Sequence, residues 1–254
     1  MQKRGQVTVF VMIGLVVIIV IALFFFARNN MGLGINPQQF VESRLDPIRD
    51  NIKECVDKIV PEAVTSLGKQ GGDFSPATYR RYQGQTVKYY CLNIPSEKNC
   101  LNIMPTLTGI KRNLQEYLQF QINNCVDRSL LKSKYGYKVT TANPQTAIEF
   151  VGQSIEITID YPITITKGGA TVRLNELKRV YNDVPIEDLY ATAVDITNAL
   201  ATNGFFDQVI YMLQHKDAIL INVDKPYPDR IYKLQKRDST YEWWFAVQGE
   251  EMSA

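Results

Sequence analysis

The stretch that decides the fold is SIEITIDYPITIT, residues 154–166. Its isoleucines alternate with polar residues, so apolar side chains point to one face of a strand and polar side chains to the other. Lys167-Gly168-Gly169 predicts a hairpin turn into a second strand over 170–177. Pro162 has no N–H to donate, which predicts an edge position or a bulge within the first strand.

Outward from this hairpin the chain alternates between strand and helix patterns. Residues 185–214 carry apolar side chains three and four apart, which predicts a long helix opened by Pro185 and broken near Asn203-Gly204. Shorter strands are predicted at 137–141, 147–151, 218–223, 230–236 and 241–248. Together these patterns predict an antiparallel α+β segment over 135–254, a sheet with one long helix packed on it.

Two amphipathic helices are predicted before this segment, over 41–67 and 105–126. Gly68 and the loop Gln70-Gly71-Gly72 end the first one. We therefore predict a helical, cysteine-containing segment over 40–134, preceded by a Gly/Asn/Pro linker over 29–39. At this length, 40–254 could also form one domain.

All four cysteines, Cys55, Cys91, Cys100 and Cys125, lie in the helical segment. Four cysteines allow three pairings. Cys91 and Cys100 bracket a short polar turn, which favours that pair, and Cys55 and Cys125 lie on the apolar stripes of the two helices. Two alternatives remain, a zinc site, which the spacing fits badly, and buried free thiols.

The N-terminus is the most apolar part of the chain. Between Val9 and Ala27 there is no charged or hydrogen-bonding side chain. Such a helix measures about 28 Å, close to the roughly 30 Å hydrocarbon core of a bilayer. We expect a transmembrane anchor over 1–28, and a buried core helix and a cleaved signal are the alternatives.

Charge and cysteines predict the orientation of this anchor. Lys3 and Arg4 precede the apolar run and Arg28 follows it, which predicts a cytoplasmic N-terminus. Disulfides form in oxidising compartments, so the cysteines agree with an extracytoplasmic C-terminal domain. The expected location is the cell membrane, with one span and the lipid membrane as a partner.

Composition gives little support for other functions. With 28 basic and 26 acidic residues, the net charge of +2 does not predict nucleic-acid binding. The single histidine, His215, ends a predicted helix, and no catalytic, phosphate-binding or metal-binding motif is present, so we predict no enzyme, cofactor or metal. Two carboxylates, Asp224 and Asp229, flank a proline-rich turn; turn chemistry explains this loop better than calcium binding.

Two aromatic clusters are candidate contact sites. Tyr79 and Tyr82 enclose two arginines, and Trp243 and Trp244 are neighbours in a predicted strand. Adjacent strand residues point to opposite faces, so one tryptophan should be in the core and the other exposed toward a partner.

The N-terminus Lys3-Arg4-Gly5-Gln6-Val7, followed by an apolar helix, resembles the leader of archaeal type IV pilin-like proteins with class III signals. That resemblance implies cleavage between Gly5 and Gln6 and a helix that becomes the core of a filament. More broadly, the chain looks like uncharacterised archaeal envelope proteins with a Lys/Arg-Gly-Gln start, one anchor helix and a Cys-bearing helix that ends in a Gln-Gly-Gly loop.

The resulting hypothesis is a membrane-anchored, extracytoplasmic structural or interaction protein of the cell envelope. A surface-filament or assembly subunit would self-associate through its apolar helix. The alternative is a membrane-tethered binding module for an envelope ligand or a protein partner.

Overall fold

The structure is a computed structural model that describes residues 5–30, 37–94, 97, 99–125, 138–167, 170–174, 176–216 and 218–249. Within the helices and strands, the side chains of 5–10, 27–49, 167, 170 and 172–174 lie outside the description.

The described elements define an α+β fold. The helices are α1 Gly5–Asn30, α2 Pro37–Lys69, α3 Leu107–Asn123, α4 Ile186–Asn203 and α5 Gln208–Gln214. The strands of the first half are β1 Tyr79–Tyr82, β2 Gln85–Leu92, β3 Leu101–Asn102, β4 Lys138–Thr141, β5 Gln145–Val151 and β6 Ser154–Asp160. The strands of the second half are β7 Ile163–Lys167, β8 Ala170–Leu174, β9 Leu177–Asn182, β10 Ile219–Asp224, β11 Arg230–Lys236 and β12 Glu242–Val247.

The predicted transmembrane anchor over 1–28 is wrong. Within the described part of the chain, none of the helices combines the length and the apolar character that crossing a bilayer requires. The apolar run does form a helix, α1, and its described side chains extend from Val11 to Phe26. The single-pass membrane location that rested on the anchor is corrected with it.

Helix α2 is longer at both ends than predicted. It begins at Pro37, inside the predicted linker, and ends at Lys69. Pro47 and Pro61 both lie within it, although an interior proline removes a backbone hydrogen bond and costs about 3 kcal/mol. Burial of one apolar stripe offsets such a cost in the C-terminal half of the helix. The stripe consists of Val56, Val60, Ala63, Val64 and Leu67.

The larger sheet has the strand order β1-β2-β12-β11-β10, with β3 paired to β2. Strand β12 pairs with β2 in parallel, through Ala246 opposite Tyr89 and Val247 opposite Cys91. The sheet is therefore mixed rather than antiparallel as predicted. It also combines strands from both predicted segments, 40–134 and 135–254.

The smaller sheets form a bent three-stranded ribbon. The strands β4-β7-β8 pair in one half and β5-β6-β9 in the other. The predicted strand 154–166 runs through both halves and is interrupted at Tyr161-Pro162, where the N–H of Ala142 donates to the carbonyl of Pro162 at 3.2 Å. The proline thus marks the bend, and the ribbon stays antiparallel on both sides of it.

One core joins these parts. Buried residues from α2, α3 and α4 share a hydrophobic cluster with the larger sheet and with the ribbon. Trp243 belongs to this cluster and is fully buried, and its Nε1 donates to the Tyr90 hydroxyl at 3.1 Å. Helices α2 and α4 thus pack against the larger sheet on the side of Trp243, and α3 packs on α2 and β5. The opposite face of the sheet is left for a separate role.

Candidate functional site: the outer face of the larger sheet

The face of the larger sheet that points away from this core is called here the outer sheet face. Residues directly opposite in antiparallel strands share a face. Lys233 lies opposite Trp244, and Ile231 lies opposite Ala246. A second hydrophobic cluster forms on this face. It consists of Val87, Ile231, Trp244 and Ala246, with Tyr82 and Tyr89 packed against it.

Aromatic and cationic side chains cover this cluster. The ring of Tyr82 meets Trp244 edge-on, with the centroids 6.0 Å apart. The Lys233 Nζ lies 5.7 Å from the Trp244 centroid, and the Lys69 Nζ lies 5.3 Å from it. Cations at these distances are attracted to the ring face. Trp244 is therefore buried beneath these side chains, and its Nε1 has no hydrogen-bond partner among the described residues.

Asp224 organises one side of the outer sheet face. Its carboxylate accepts a short hydrogen bond from the Tyr82 hydroxyl and forms an ion pair with Lys233. The Lys233 ammonium, and then the Tyr82 hydroxyl, lower the pKa of Asp224. The same hydrogen bond raises the pKa of Tyr82, and Asp224 raises the pKa of Lys233. The three groups therefore stay in one protonation state across the neutral range.

Asp229 organises the other side. Its carboxylate is buried and accepts from the Tyr89 hydroxyl at 2.7 Å and from the Gly249 N–H at 3.1 Å. Arg80 lies 3.3 Å from the same carboxylate and donates to the carbonyl of Tyr227 at 3.2 Å. Burial, and then the hydrogen bond to Asp229, raise the pKa of Tyr89. This network fixes β1 and β2 against the loop that precedes β11.

The arrangement suits recognition better than proton transfer. Each carboxylate is already engaged by a tyrosine hydroxyl and a cation, so neither is poised as a base toward a substrate. Tyrosine and arginine held rigidly by such contacts are typical of interface hot spots, because little side-chain entropy is lost on binding.

Two clefts flank the larger sheet. One, of about 410 Å³, is lined by Asn93, Asn99, Arg230 and Gln248 beside the Cys91–Cys100 loop. It is polar and open, and its Asn99 side chain donates to the carbonyl of Thr202 at 2.7 Å.

The second cleft, of about 250 Å³, lies between the end of α2 and the strands β9 and β12. Lys69, Asp183 and Glu242 bring charges of both signs to it. Asp183 has a φ of 63°, and its carboxylate accepts from the N–H and the hydroxyl of Thr240 at 3.1 and 2.9 Å. Hydrogen bonds from Ser239 and then Thr240 lower its pKa.

The predicted contact aromatics divide between the two faces of the sheet. Tyr82 and Trp244 meet on the outer sheet face. Trp243 faces the core, opposite Leu234, and Tyr79 lies opposite Lys88, on the other face of β1 from Tyr82. The prediction that one of the two tryptophans is exposed is wrong, because both are buried. Trp244 lies beneath Lys69, Lys233 and Tyr82. Tyr79 is the predicted aromatic that remains exposed.

Both predicted cysteine pairs are disulfides in the structure. Cys55 pairs with Cys125 with Cα atoms 5.9 Å apart, and Cys91 pairs with Cys100 at 5.4 Å. The first bond links α2 to the chain just after α3. Among the described residues no cysteine is free.

The other predicted positions, Gly5, Gln6 and His215, lie at helix ends, and part of them lies outside the described residues. Gly5 begins α1, and the side chains of Gly5 and Gln6 lie outside the described set. His215 caps the end of α5, where its ring stacks on Tyr211 with centroids 4.0 Å apart. No group of three or more possible metal ligands occurs among the described residues.

Sequence reasoning missed Lys233 and Tyr89, which complete the outer sheet face. Asp224 and Asp229 were considered together as calcium ligands, yet they pair with different cations, Lys233 and Arg80. The period-two pattern of β11 was a usable signal, because it places Lys233 on the face of Ile231. No comparable pattern in the sequence predicts that β12 pairs with β2, because the two strands lie far apart along the chain.

Comparisons of the chain with protein-family models, with curated proteins and with solved structures find no match.

Proposed function

We propose that this chain is a structural protein of the cell envelope that assembles with copies of itself through α1, as a surface-filament or assembly subunit. The observation that carries the proposal is the exposure of α1. Its large apolar side chains between Val11 and Phe26 are between 47% and 71% exposed. A contiguous apolar surface of this kind marks an interaction site, because leaving it in water forfeits about 25 cal/mol for each Å².

The pattern of α1 favours assembly over a contact with one partner. Apolar side chains surround α1 on all sides, so the helix has no polar face that could remain in solvent. A helix that is apolar all round is stable when neighbours cover every side. Several copies of the same helix provide such surroundings without burying a charge, since the run between Val9 and Ala27 contains none.

The remainder of the chain supports display outside the reducing cytosol. Two disulfides, Cys55–Cys125 and Cys91–Cys100, persist in oxidising compartments such as the cell envelope. In this proposal residues 50–249 form the displayed body, and cleavage between Gly5 and Gln6 precedes assembly.

The experiment measures the assembly of the full chain by sedimentation velocity and electron microscopy, in buffer without lipid. We expect large assemblies for the unmodified chain. The double variant Leu15→Lys/Ile18→Lys should sediment as a monomer, because assembly would bury two unpaired charges. Val151→Lys/Val180→Lys is the matched control, since both valines are exposed on the body, and it should still assemble.

Two results would contradict the proposal. One is an unmodified chain that remains monomeric at 100 μM or so, well above a typical micromolar dissociation constant. The other is material that floats with lipid vesicles and never associates with itself. Intact mass on native envelope material tests the processing step, which requires chains that lack Met1–Gly5.

A second candidate function, a binding module for an envelope ligand or a protein partner, is favoured by the outer sheet face. On this face, Asp224 holds Tyr82 and Lys233, and Asp229 holds Arg80. The 410 Å³ cleft lies near the start of β11. The two functions differ in what they require. The binding module works as a monomer, whereas the assembly subunit depends on α1.

A further inference from the structure

The junction between α4 and α5 exposes four large apolar side chains. Phe205 is 66% exposed, Val209 55%, Ile210 53% and Leu213 68%. These four residues are called here the apolar corner. Isolated apolar side chains on a protein surface are ordinary, as Phe120 on α3 shows, but four neighbours within one short segment form a patch.

The caps of α4 and α5 hold the apolar corner in place. Gly204 ends α4 at a φ of 70°, and its N–H donates to the carbonyl of Leu200 at 2.9 Å. Asp207 then begins α5, and its carboxylate accepts from the N–H groups of Val209 and Ile210, each at 3.0 Å. A side-chain cap of this type stabilises the start of a helix, because it satisfies N–H groups that have no partner within the helix.

The opposite side of α5 is attached to the body. The Tyr211 hydroxyl donates to Asp195 at 2.8 Å, and the Met212 sulfur accepts from the N–H of Ile221 at 3.4 Å. Phe206 packs against Tyr211 with ring centroids 5.3 Å apart. Because α5 is fixed from its inner side, the apolar corner is presented to solvent in one geometry, and a partner loses little entropy in binding it.

The chemistry of the apolar corner selects an uncharged partner. Helix α5, with the sequence QVIYMLQ, contains no charged residue, and the Asp207 carboxylate before it is already engaged by the N–H groups of Val209 and Ile210. A charged group buried against this helix would lose its hydration without gaining an opposite charge. Helix α1 meets the requirement, since Val9 to Ala27 is uncharged and apolar throughout.

We propose that the apolar corner binds α1 of a neighbouring copy of this chain. This inference rests on the self-assembly proposed above and identifies the second surface of that contact. The exposure of Val11–Phe26 shows that α1 does not cover the corner of its own chain. A patch of four side chains offers on the order of a few hundred Å², below the roughly 800 Å² per partner of a stable interface. Two corners facing each other would therefore be too small, whereas α1 adds the corner to contacts that it already makes with other copies.

The two surfaces of this contact differ, α1 on one copy and the apolar corner on the next. Such a head-to-tail contact leaves an unused surface at each end, so it propagates into a filament unless the rotation closes a ring. The corner would then fix the spacing of successive copies, a role that uniform apolar packing between α1 helices cannot fill.

The first test compares Phe205→Ser with Phe120→Ser in the full chain. Both phenylalanines are exposed, at 66% and 70%, so neither change should disturb the body. Loss of a buried phenyl ring should weaken assembly about ten-fold or more for Phe205→Ser, measured by sedimentation across a dilution series. Phe120→Ser should assemble like the unmodified chain, and equal behaviour of the two variants would overturn the proposal.

The second test mixes two variants, Ile18→Cys and Leu213→Cys, and treats the mixture with a short thiol crosslinker. We expect dimers that contain one chain of each kind. Crosslinks restricted to Ile18→Cys pairs would remove the corner from the assembly and leave the proposed function intact. Crosslinks restricted to Leu213→Cys pairs would show corner-to-corner contact, which also overturns the inference. If the unmodified chain does not self-associate at all, the function itself fails.

Discussion

Helices α3 and α1 are both rich in apolar residues, yet α3 buries most of its apolar side chains and α1 leaves its described ones exposed. Helix α3 buries Ile110, Leu114, Leu118 and Ile122 completely, and its opposite side carries the exposed charges of Arg112 and Glu116. Helix α1 leaves its described apolar side chains exposed on every side. The first helix has a stripe that matches the surface of α2 and β5, whereas the second has no polar face that could distinguish inside from outside.

The difference teaches that burial within one chain depends on the arrangement of apolar residues more than on their number. A stripe can be covered by one neighbour, and the polar face then keeps the helix soluble on its other side. A helix without a polar face needs more neighbours than this chain supplies. In the proposed function those neighbours are other copies.

The largest expected effect comes from removing the covalent link behind the packing of α3. In Cys55→Ser/Cys125→Ser, a loop closed over a sequence separation of 70 is released, which should cost about 4 kcal/mol of unfolding free energy. Urea titration measures the loss. The matched control is Cys91→Ser/Cys100→Ser, whose separation of 9 predicts a smaller cost of about 2.5 kcal/mol. A reversed order would show that the link does not stabilise the α2–α3 pair as described.

The next effect compares one leucine from each helix. Leu118 is fully buried and Leu23 is 61% exposed. Leu118→Ala should lower the unfolding free energy of the body by about 3 kcal/mol, because it leaves a cavity in a packed core. Leu23→Ala should change that free energy by less than about 0.5 kcal/mol and instead weaken assembly. If the two substitutions destabilise the body equally, α1 packs on the body and the comparison fails.

The smallest effect concerns the outer sheet face and depends on pH. Lys233 and Tyr82 lower the pKa of Asp224, so its contribution to stability is present above the ordinary carboxyl value and is lost as the pH falls through the folded value. The carboxylate is 39% exposed, so solvent screening should keep this contribution under about 1 kcal/mol.

Asp224→Asn should therefore be slightly less stable than the unmodified chain at pH 7 and equal to it once the pH has fallen below the lowered pKa of Asp224. Thermal unfolding across this range measures the difference, and Glu156→Gln on the exposed face of β6 is the control. A difference that persists at low pH would assign the effect to packing rather than to charge.

Local patterns predicted much of this fold. The strand 154–166 alternates over one buried face, so its isoleucines are in the core, and the proline within it marks the bend. The apolar stripes around Cys55 and Cys125 predicted which cysteines meet, because packing of the stripes brings the thiols together. The break between α4 and α5 at Gly204 follows from the left-handed backbone that glycine adopts there.

Long-range pairing could not be predicted in the same way. The parallel contact of β2 with β12 depends on two segments from opposite ends of the body. Without it, the neighbours of Trp244 could not be foreseen, and the alternation of β12 suggested exposure where Lys69, Lys233 and Tyr82 provide cover. The transmembrane prediction relied on the length and composition of the apolar run in the sequence, and the structure provides no helix among the described residues that meets the requirement.

The position of β12 also has a consequence for biosynthesis. This last strand lies in the interior of the larger sheet, between β2 and β11, so the sheet stays divided until the final residues of the body have been made. Until then β2 presents an open edge to other nascent chains. In the proposed assembly through α1, the late pairing of β12 with β2 would close this edge before it could serve as a second contact surface.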